Sequence, residues 1–267
     1  MNIFKIIQDI EKVDGDVYDR LSSRRGAMSS FGSFGKKVAI AAVPLAMGTM
    51  FKKAYGQSTG GVLDVLNFAL TLEYLESEFY KQGLAASGLN LGENKSFFME
   101  VSKNETAHVK FLEDTIKALK GTPTDKPTFD FSAGGEFADW DSNPQTFMAL
   151  SQAFEDTGVR AYKGQAGNLV SNNDVLTAAL QIHAVEARHA SIIRRIRGLN
   201  GWITNDERGA GMPAPTQAVY DGEAETMQAG VDIAAVSKVS VGNATEAFDE
   251  PLSKDAVLAI AKLFIKA

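Results

Sequence analysis

Apolar residues recur at intervals of three and four in two proline-free stretches of the chain, 61–121 and 145–198. In the first, Leu63, Leu66, Leu70, Glu73, Ser77 and Tyr80 form one stripe. After a glycine-bounded break over 83–92, Phe98, Val101, Glu105, His108, Leu112, Thr115 and Leu119 form a second. That period lines one face of a helix, and the short break makes the two helices antiparallel neighbours. The second stretch repeats the arrangement. Met148, Ser151, Glu155, Gly158, Tyr162, Gln165 and Leu169 are followed, beyond Asn172-Asn173-Asp174, by Val175, Ala179, Ile182, Glu186, His189, Ile193 and Ile196. Gly158, Gly164 and Gly167 weaken the third helix, since each glycine costs about 1 kcal/mol against alanine. The connection 121–144 contains prolines, and Phe129, Phe131, Phe137 and Trp140 are expected to pack it down. Two antiparallel helical hairpins and one long crossover predict an all-α four-helix bundle over 57–200.

The flanks read differently. Residues 201–267 contain Pro213, Pro215 and Pro251 and little regular pattern before Ser253. Ser253 is expected to cap a final helix near 253–265 whose apolar side is Val257, Ile260, Leu263 and Phe264. Residues 219–236 suit a short helix or a turn-rich segment, and the whole extension is expected to wrap the bundle and bring no chemistry of its own. At the other end, 1–56 holds nine Lys/Arg against five Asp/Glu, whereas the rest of the chain holds 18 against 28. Lys36-Lys37, an apolar run of fourteen residues over 38–51, Lys52-Lys53 and the small residues Ala54 and Gly56 have the layout of a cleavable export signal. The run is short of the roughly 20 residues that a membrane span takes. Arg24-Arg25, after Ser22-Ser23, resembles a bacterial twin-arginine signal, with Ala27 where an aromatic is usual. The expected location is the periplasm or cell envelope, with the twin-arginine export machinery as a partner. A buried hairpin or an uncleaved anchor is the other reading of this segment.

The chemistry lies in charged residues at positions the period assigns to the core. Glu105 and His108 are three apart on one helix face, and Glu186 and His189 repeat the pair. Glu73 and Glu155 sit on the stripes of the other two helices, each followed seven residues later by a tyrosine, Tyr80 and Tyr162. Glu73 to Glu105 is 32 residues and Glu155 to Glu186 is 31, so antiparallel hairpins bring all four carboxylates to one level. Glu76 and Glu78 compete with Glu73, which is preferred because it shares the stripe of Leu66, Leu70 and Tyr80. No Lys or Arg occupies the stripes, so the cluster would cost several kcal/mol per charge if left unneutralised. Two divalent ions balance four glutamates. The chain has no cysteine, which excludes disulfides, thiolate nucleophiles and iron–sulfur centres. Carboxylate and imidazole together suit iron or manganese, and zinc less well.

This residue set resembles the di-iron and di-manganese carboxylate proteins of the ferritin-like superfamily. The resemblance implies that Glu73, Glu105, His108, Glu155, Glu186 and His189 are metal ligands, with Glu105 and Glu186 as the bridging pair. It places Tyr80 and Tyr162 where such proteins often keep a tyrosine beside the ligands. With the export segment and Phe248-Asp-Glu-Pro-Leu252, the chain looks like exported bacterial ferritin-like proteins related to plant desiccation-related proteins. The implied activity is reaction with oxygen or peroxide, of the oxidase, ferroxidase, peroxidase or catalase kind. Electrons would come from an external donor or from peroxide itself, and no catalytic residue beyond the ligands is assigned. The rival reading is a non-enzymatic stress- or desiccation-related envelope protein that uses the bundle as a scaffold. A cage-type iron store is a third, hindered by the extra segments. The net charge of -6 argues against nucleic acid as a partner, and a homo-oligomer is left open. His183 is expected to be a helix-edge histidine bonded to a neighbour. Arg188, Arg194, Arg195 and Arg197 are expected to form the solvated face and cationic end of the fourth helix.

Overall fold

The structure, a computed structural model, describes residues 61–266. The expected export segment, with Arg24 and Arg25, lies outside the described residues. Four long helices follow the four stripes: α1 Val62–Ala85, α2 Lys95–Ala118, α3 Pro144–Ala166 and α4 Asn173–Ile196. Local chemistry sets their ends. Asn143 accepts a hydrogen bond from the Gln145 amide while Pro144 opens α3, and Asn172 accepts from the Val175 amide to open α4. At the far end of α4 the Gly198 amide donates to Arg195 and the Leu199 amide to Arg194, with Gly198 at φ +80°. That left-handed residue closes the helix.

α1 pairs with α2 and α3 with α4, as the two hairpins require. The stripes drift in one place. In the last turn of α2 it is Ile116 that is fully buried, while Thr115 is half-buried and Leu119 exposed. The crossover is pinned as expected. Phe129, Phe131 and Phe137 are buried, and Phe79 lies 5.2 Å from Phe131, 4.7 Å from Phe147 and 5.0 Å from Phe154 between ring centroids.

The doubt about α3 is resolved by its surroundings. Every residue over 147–162 is buried, because hairpin partners cover one side and the C-terminal extension the other. Tertiary burial outweighs the propensity cost of glycine, and one glycine is needed for the docking. A Cβ at Gly164 would lie 2.0 Å from the Leu252 carbonyl oxygen, so only glycine lets the extension run directly against α3. Next to it the Leu252 amide donates to the Arg160 carbonyl at 3.1 Å.

The extension holds two antiparallel strands, β1 Met227–Gln228 and β2 Val231–Asp232, and three short helices. These are α5 Ile233–Ser237, α6 Val241–Thr245 and α7 Lys254–Ala261. Ser253 caps α7 by accepting from the Ala256 amide. Its last turn ends at Phe264, where the Asp130 amide donates to the Phe264 carbonyl at 2.8 Å and ties the crossover to the C-terminal end. The expectation for the arginines of α4 fails for Arg194, which is buried, while Arg197 is half-buried. Asp156 of α3 and Tyr220 of the extension close over that face and convert a surface cation into an interior one.

Candidate metal centre

Glu73, Glu105, Glu155 and Glu186 have no exposed surface, and His189 is buried while His108 keeps a narrow opening to solvent. One comes from each of α1 and α3, and the two Glu-x-x-His pairs come from α2 and α4. The helix period alone accounts for the convergence: each residue lies on the stripe its helix turns inward, and equal hairpin arms bring the stripes to one depth. The side chains form two groups whose ligand atoms lie within 4.8 Å of one another. Glu73, Glu105, His108 and Glu186 make one; Glu105, Glu155, Glu186 and His189 make the other. All six residues expected from the sequence are therefore together, and Glu105 and Glu186 belong to both groups.

The oxygens are distributed with care. Glu105 turns Oε2 toward His108 Nδ1 at 2.9 Å and Oε1 toward His189 Nδ1 at 3.1 Å, so its carboxylate spans the two groups. Tyr162 donates from its hydroxyl to Glu73 Oε1 at 2.5 Å, leaving Glu73 Oε2 to face His108 Nδ1 at 3.3 Å. Tyr80 does the same for Glu155: its hydroxyl donates to Oε1 at 2.5 Å, and Oε2 lies 3.0 Å from His189 Nδ1. Each tyrosine thus crosses from one hairpin to a glutamate of the other. The outer nitrogen of His189, Nε2, lies 3.1 Å from the Asn104 side-chain amide. Rotation of that amide lets its oxygen accept a proton from Nε2, which leaves the Nδ1 lone pair directed inward.

The electrostatics show what this pocket lacks. One Nδ1 carries at most one proton, yet three carboxylate oxygens crowd His108 Nδ1 and two crowd His189 Nδ1. Glu73 Oε2, Glu105 Oε1 and both oxygens of Glu186 are consequently buried without a hydrogen-bond partner among the described residues. Burial opposes the charge on His189, but Glu155 and Glu105 outweigh it and lift its pKa to about 10. Burial opposes the charge on His108 as well, but the carboxylates of Glu105, Glu186 and Glu73 around its Nδ1 outweigh it and raise its pKa. Burial and the neighbouring charge of Glu105 hold Glu73 up at about 7 despite the opposing pull of His108. Burial, Glu105 and Glu155 push Glu186 well above the carboxylate range. Glu105 goes down: its burial is overcome by the two imidazoles, which bring it to about 2. Protons here do, incompletely, what cations would do.

Orphaned buried oxygens, imidazole nitrogens turned inward and a donor set of oxygen and nitrogen only are what a pair of divalent ions requires. The residues present fit such a pair. The ferritin-like domain family matches residues 61–199, just over half of the chain. The chain belongs to that family. A comparison with curated proteins finds no match.

Two features of this ferritin-like pocket escape the stripe rule. Glu76, set aside in favour of Glu73, is itself buried and faces the same cluster, and burial followed by Glu186 and Glu73 drives its pKa well up. Asn104 was invisible because nothing in its spacing marks it; its only signal is that it immediately precedes Glu105. His183 does not join the centre. It is half-buried, and its Nε2 finds no hydrogen-bond partner among the described residues, contrary to the expected bond to a neighbour.

Proposed function

We propose that this ferritin-like protein holds two iron or manganese ions between Glu73, Glu105, His108, Glu155, Glu186 and His189 and reacts with dioxygen or peroxide. The observation that carries the reading is the split of the Glu105 carboxylate, one oxygen toward each imidazole. A carboxylate so placed, fully buried and without a cation of the chain's own, is the arrangement a bridging ligand needs. When bound, a redox-active pair supplies two one-electron changes, which suits the two-electron reduction of oxygen or peroxide.

The chain's own part is positional. Tyr80 and Tyr162 hold the outer oxygens of Glu155 and Glu73 and so leave one oxygen of each free to face inward. Asn104 sets the ring of His189. The four helices and the crossover exclude bulk water, which keeps the carboxylates fully effective as ligands. Export is part of the same proposal. The lysine-flanked apolar run and Arg24-Arg25 support a twin-arginine route to the periplasm or envelope, as for exported bacterial relatives of plant desiccation-related proteins.

The test is elemental analysis of protein purified from its native host, followed by oxygen uptake and peroxide loss. Two iron or manganese ions per chain with turnover support the reading. A chain that folds without metal, binds none and turns nothing over sinks it and leaves a structural role in stress protection.

A further inference from the structure

The two hairpins correspond residue by residue at a fixed offset. Glu73 and Glu155 are 82 apart, as are Tyr80 and Tyr162; Glu105 and Glu186 are 81 apart, as are His108 and His189. The reciprocal bonds of Tyr80 to Glu155 and Tyr162 to Glu73 show that this offset is also a spatial two-fold relation. At one position inside the pocket the correspondence breaks. Glu76 lies one turn beyond Glu73, and its mate at the offset of 82 is Gly158.

These two mates meet. A Cβ on Gly158 would lie 3.3 Å from Glu76 Oε1 and 3.2 Å from Glu186 Oε2. Such contacts are tighter than most real Cβ atoms make and would push the neighbouring carboxylates back by a few tenths of an ångström, so the missing side chain on α3 leaves room for the Glu76 carboxylate. That carboxylate is 97% buried, with 3% of its residue exposed. It lies beside Glu186, whose two oxygens have no hydrogen-bond partner among the described residues. A buried carboxylate beside other carboxylates is costly unless a cation compensates it. The imidazoles do not serve it: both turn Nδ1 to Glu73, Glu105, Glu155 and Glu186. A second asymmetry runs alongside. The mate of Asn104 at the offset of 81 is Val185, which has no polar side-chain atom to offer a histidine ring.

We propose that Glu76 is a fifth carboxylate ligand of the metal pair, admitted by Gly158, and that it makes the two ion positions unequal in affinity. This rests on the dinuclear reading above. Three glutamates, one imidazole and Glu76 serve one ion, while the other has three glutamates and one imidazole. A pair so built fills in two steps and keeps two distinguishable ions.

The experiment is a titration of the metal-free protein with Mn(II), counting free ion by its six-line paramagnetic resonance signal. The unaltered chain takes up two ions in two resolved steps. In Glu76→Gln, which keeps size and shape, one step weakens about ten- to a hundredfold and the other changes less than about threefold. Gly158→Ala, which drives a methyl against Glu76 and Glu186, weakens the same step. Glu76→Asp, whose shorter arm withdraws the carboxylate, is the second variant should Glu76→Gln melt below the temperature of the assay. If the unaltered chain binds two ions and the Glu76 variants keep both steps within about twofold, the fifth ligand is refuted while the dinuclear reading stands. If the unaltered chain binds no ion, both fall together.

Discussion

Glu155 and Asp156 are neighbours on α3, yet they look into two different polar interiors. Glu155 faces the bundle axis, where five buried glutamates and two imidazoles meet without a single arginine or lysine in ion-pair reach among the described residues. Asp156 faces the C-terminal extension, where charge is balanced on the spot. Arg194 Nη2 donates to Asp156 Oδ2 at 2.5 Å, and the Tyr220 hydroxyl donates to the same oxygen at 2.8 Å. One turn on, Arg160 Nε lies 2.7 Å from both Glu223 Oε1 and the Glu250 carbonyl, and its two other nitrogens donate to the carbonyls of Val219 and Asp221. Both regions bury ionised groups. Only the second brings arginines of the chain to its carboxylates, although Glu223 Oε2 and Arg197 Nε stay without a hydrogen-bond partner there among the described residues, and that difference in cations marks the first as a place for ions from outside. A structural polar seam brings its own counter-charges; a ligand site leaves them out.

That contrast is open to attack from both sides. The largest effect is expected in the seam. Arg160→Met strands Glu223 and three backbone carbonyls in the interior and should cost about 3–5 kcal/mol of stability, read from urea unfolding. Metal uptake by the folded fraction should stay at the unaltered stoichiometry; loss of the ions would show that the two interiors are not separable. Next comes Glu105→Gln. Removing the carboxylate that both groups share should weaken ion binding about a hundredfold or more. The metal-free form should still fold, with a modestly lower melting temperature, since the two imidazoles lose the carboxylate that they hold ionised. A metal-free form that unfolds instead would mean that Glu105 is a structural residue like Arg160.

The third prediction concerns pH. Glu73 titrates ordinarily at 4.5 but at about 7 in the fold, and His189 moves from 6.5 to about 10. Between those values the folded chain holds protons that the unfolded chain has released, so stability must fall as pH rises. Both contributions are fully present below about pH 4.5 and are lost through about 7 and then about 10; the depressed Glu105 acts in the opposite sense only below its ordinary 4.5. Melting curves of chelator-treated protein should therefore drop steadily from pH 5 to 9, and those with Mn(II) should stay nearly level because ions replace the protons. Parallel curves would contradict this. The smallest effect belongs to Tyr80→Phe. It deletes one hydroxyl that orients Glu155 and should weaken the ions about tenfold, visible in the same titration. It leaves the seam, and the urea midpoint that reports on it, little changed.

Much of the centre was legible because it violates a pattern. A glutamate on an apolar stripe stands out, and two Glu-x-x-His pairs at matched distances from two such glutamates identify one depth in a bundle. The stripe rule assumes a helix with one wet face, and there it fails. α1 and α3 are covered on both sides and the extension closes over one face of α4, so Glu76 and Arg194 could not be assigned by asking which face looks outward. Gly164 gave the same trouble. Propensity counts it against the helix, whereas its purpose is to admit the Leu252 carbonyl, a residue 88 positions away.

The amino-acid order by itself determined the four helices, their antiparallel pairing and the six side chains that converge, because each depends on periods and spacings within about thirty residues. Only the tertiary structure decided how the oxygens of Glu105 divide, that Tyr80 and Tyr162 cross between hairpins, that Glu76 finds its room at Gly158, and that the extension turns Arg160 and Arg194 inward. These depend on distances between segments far apart in the chain. Such distances follow from packing, where the shape and charge of both partners matter at once, and no local period encodes them.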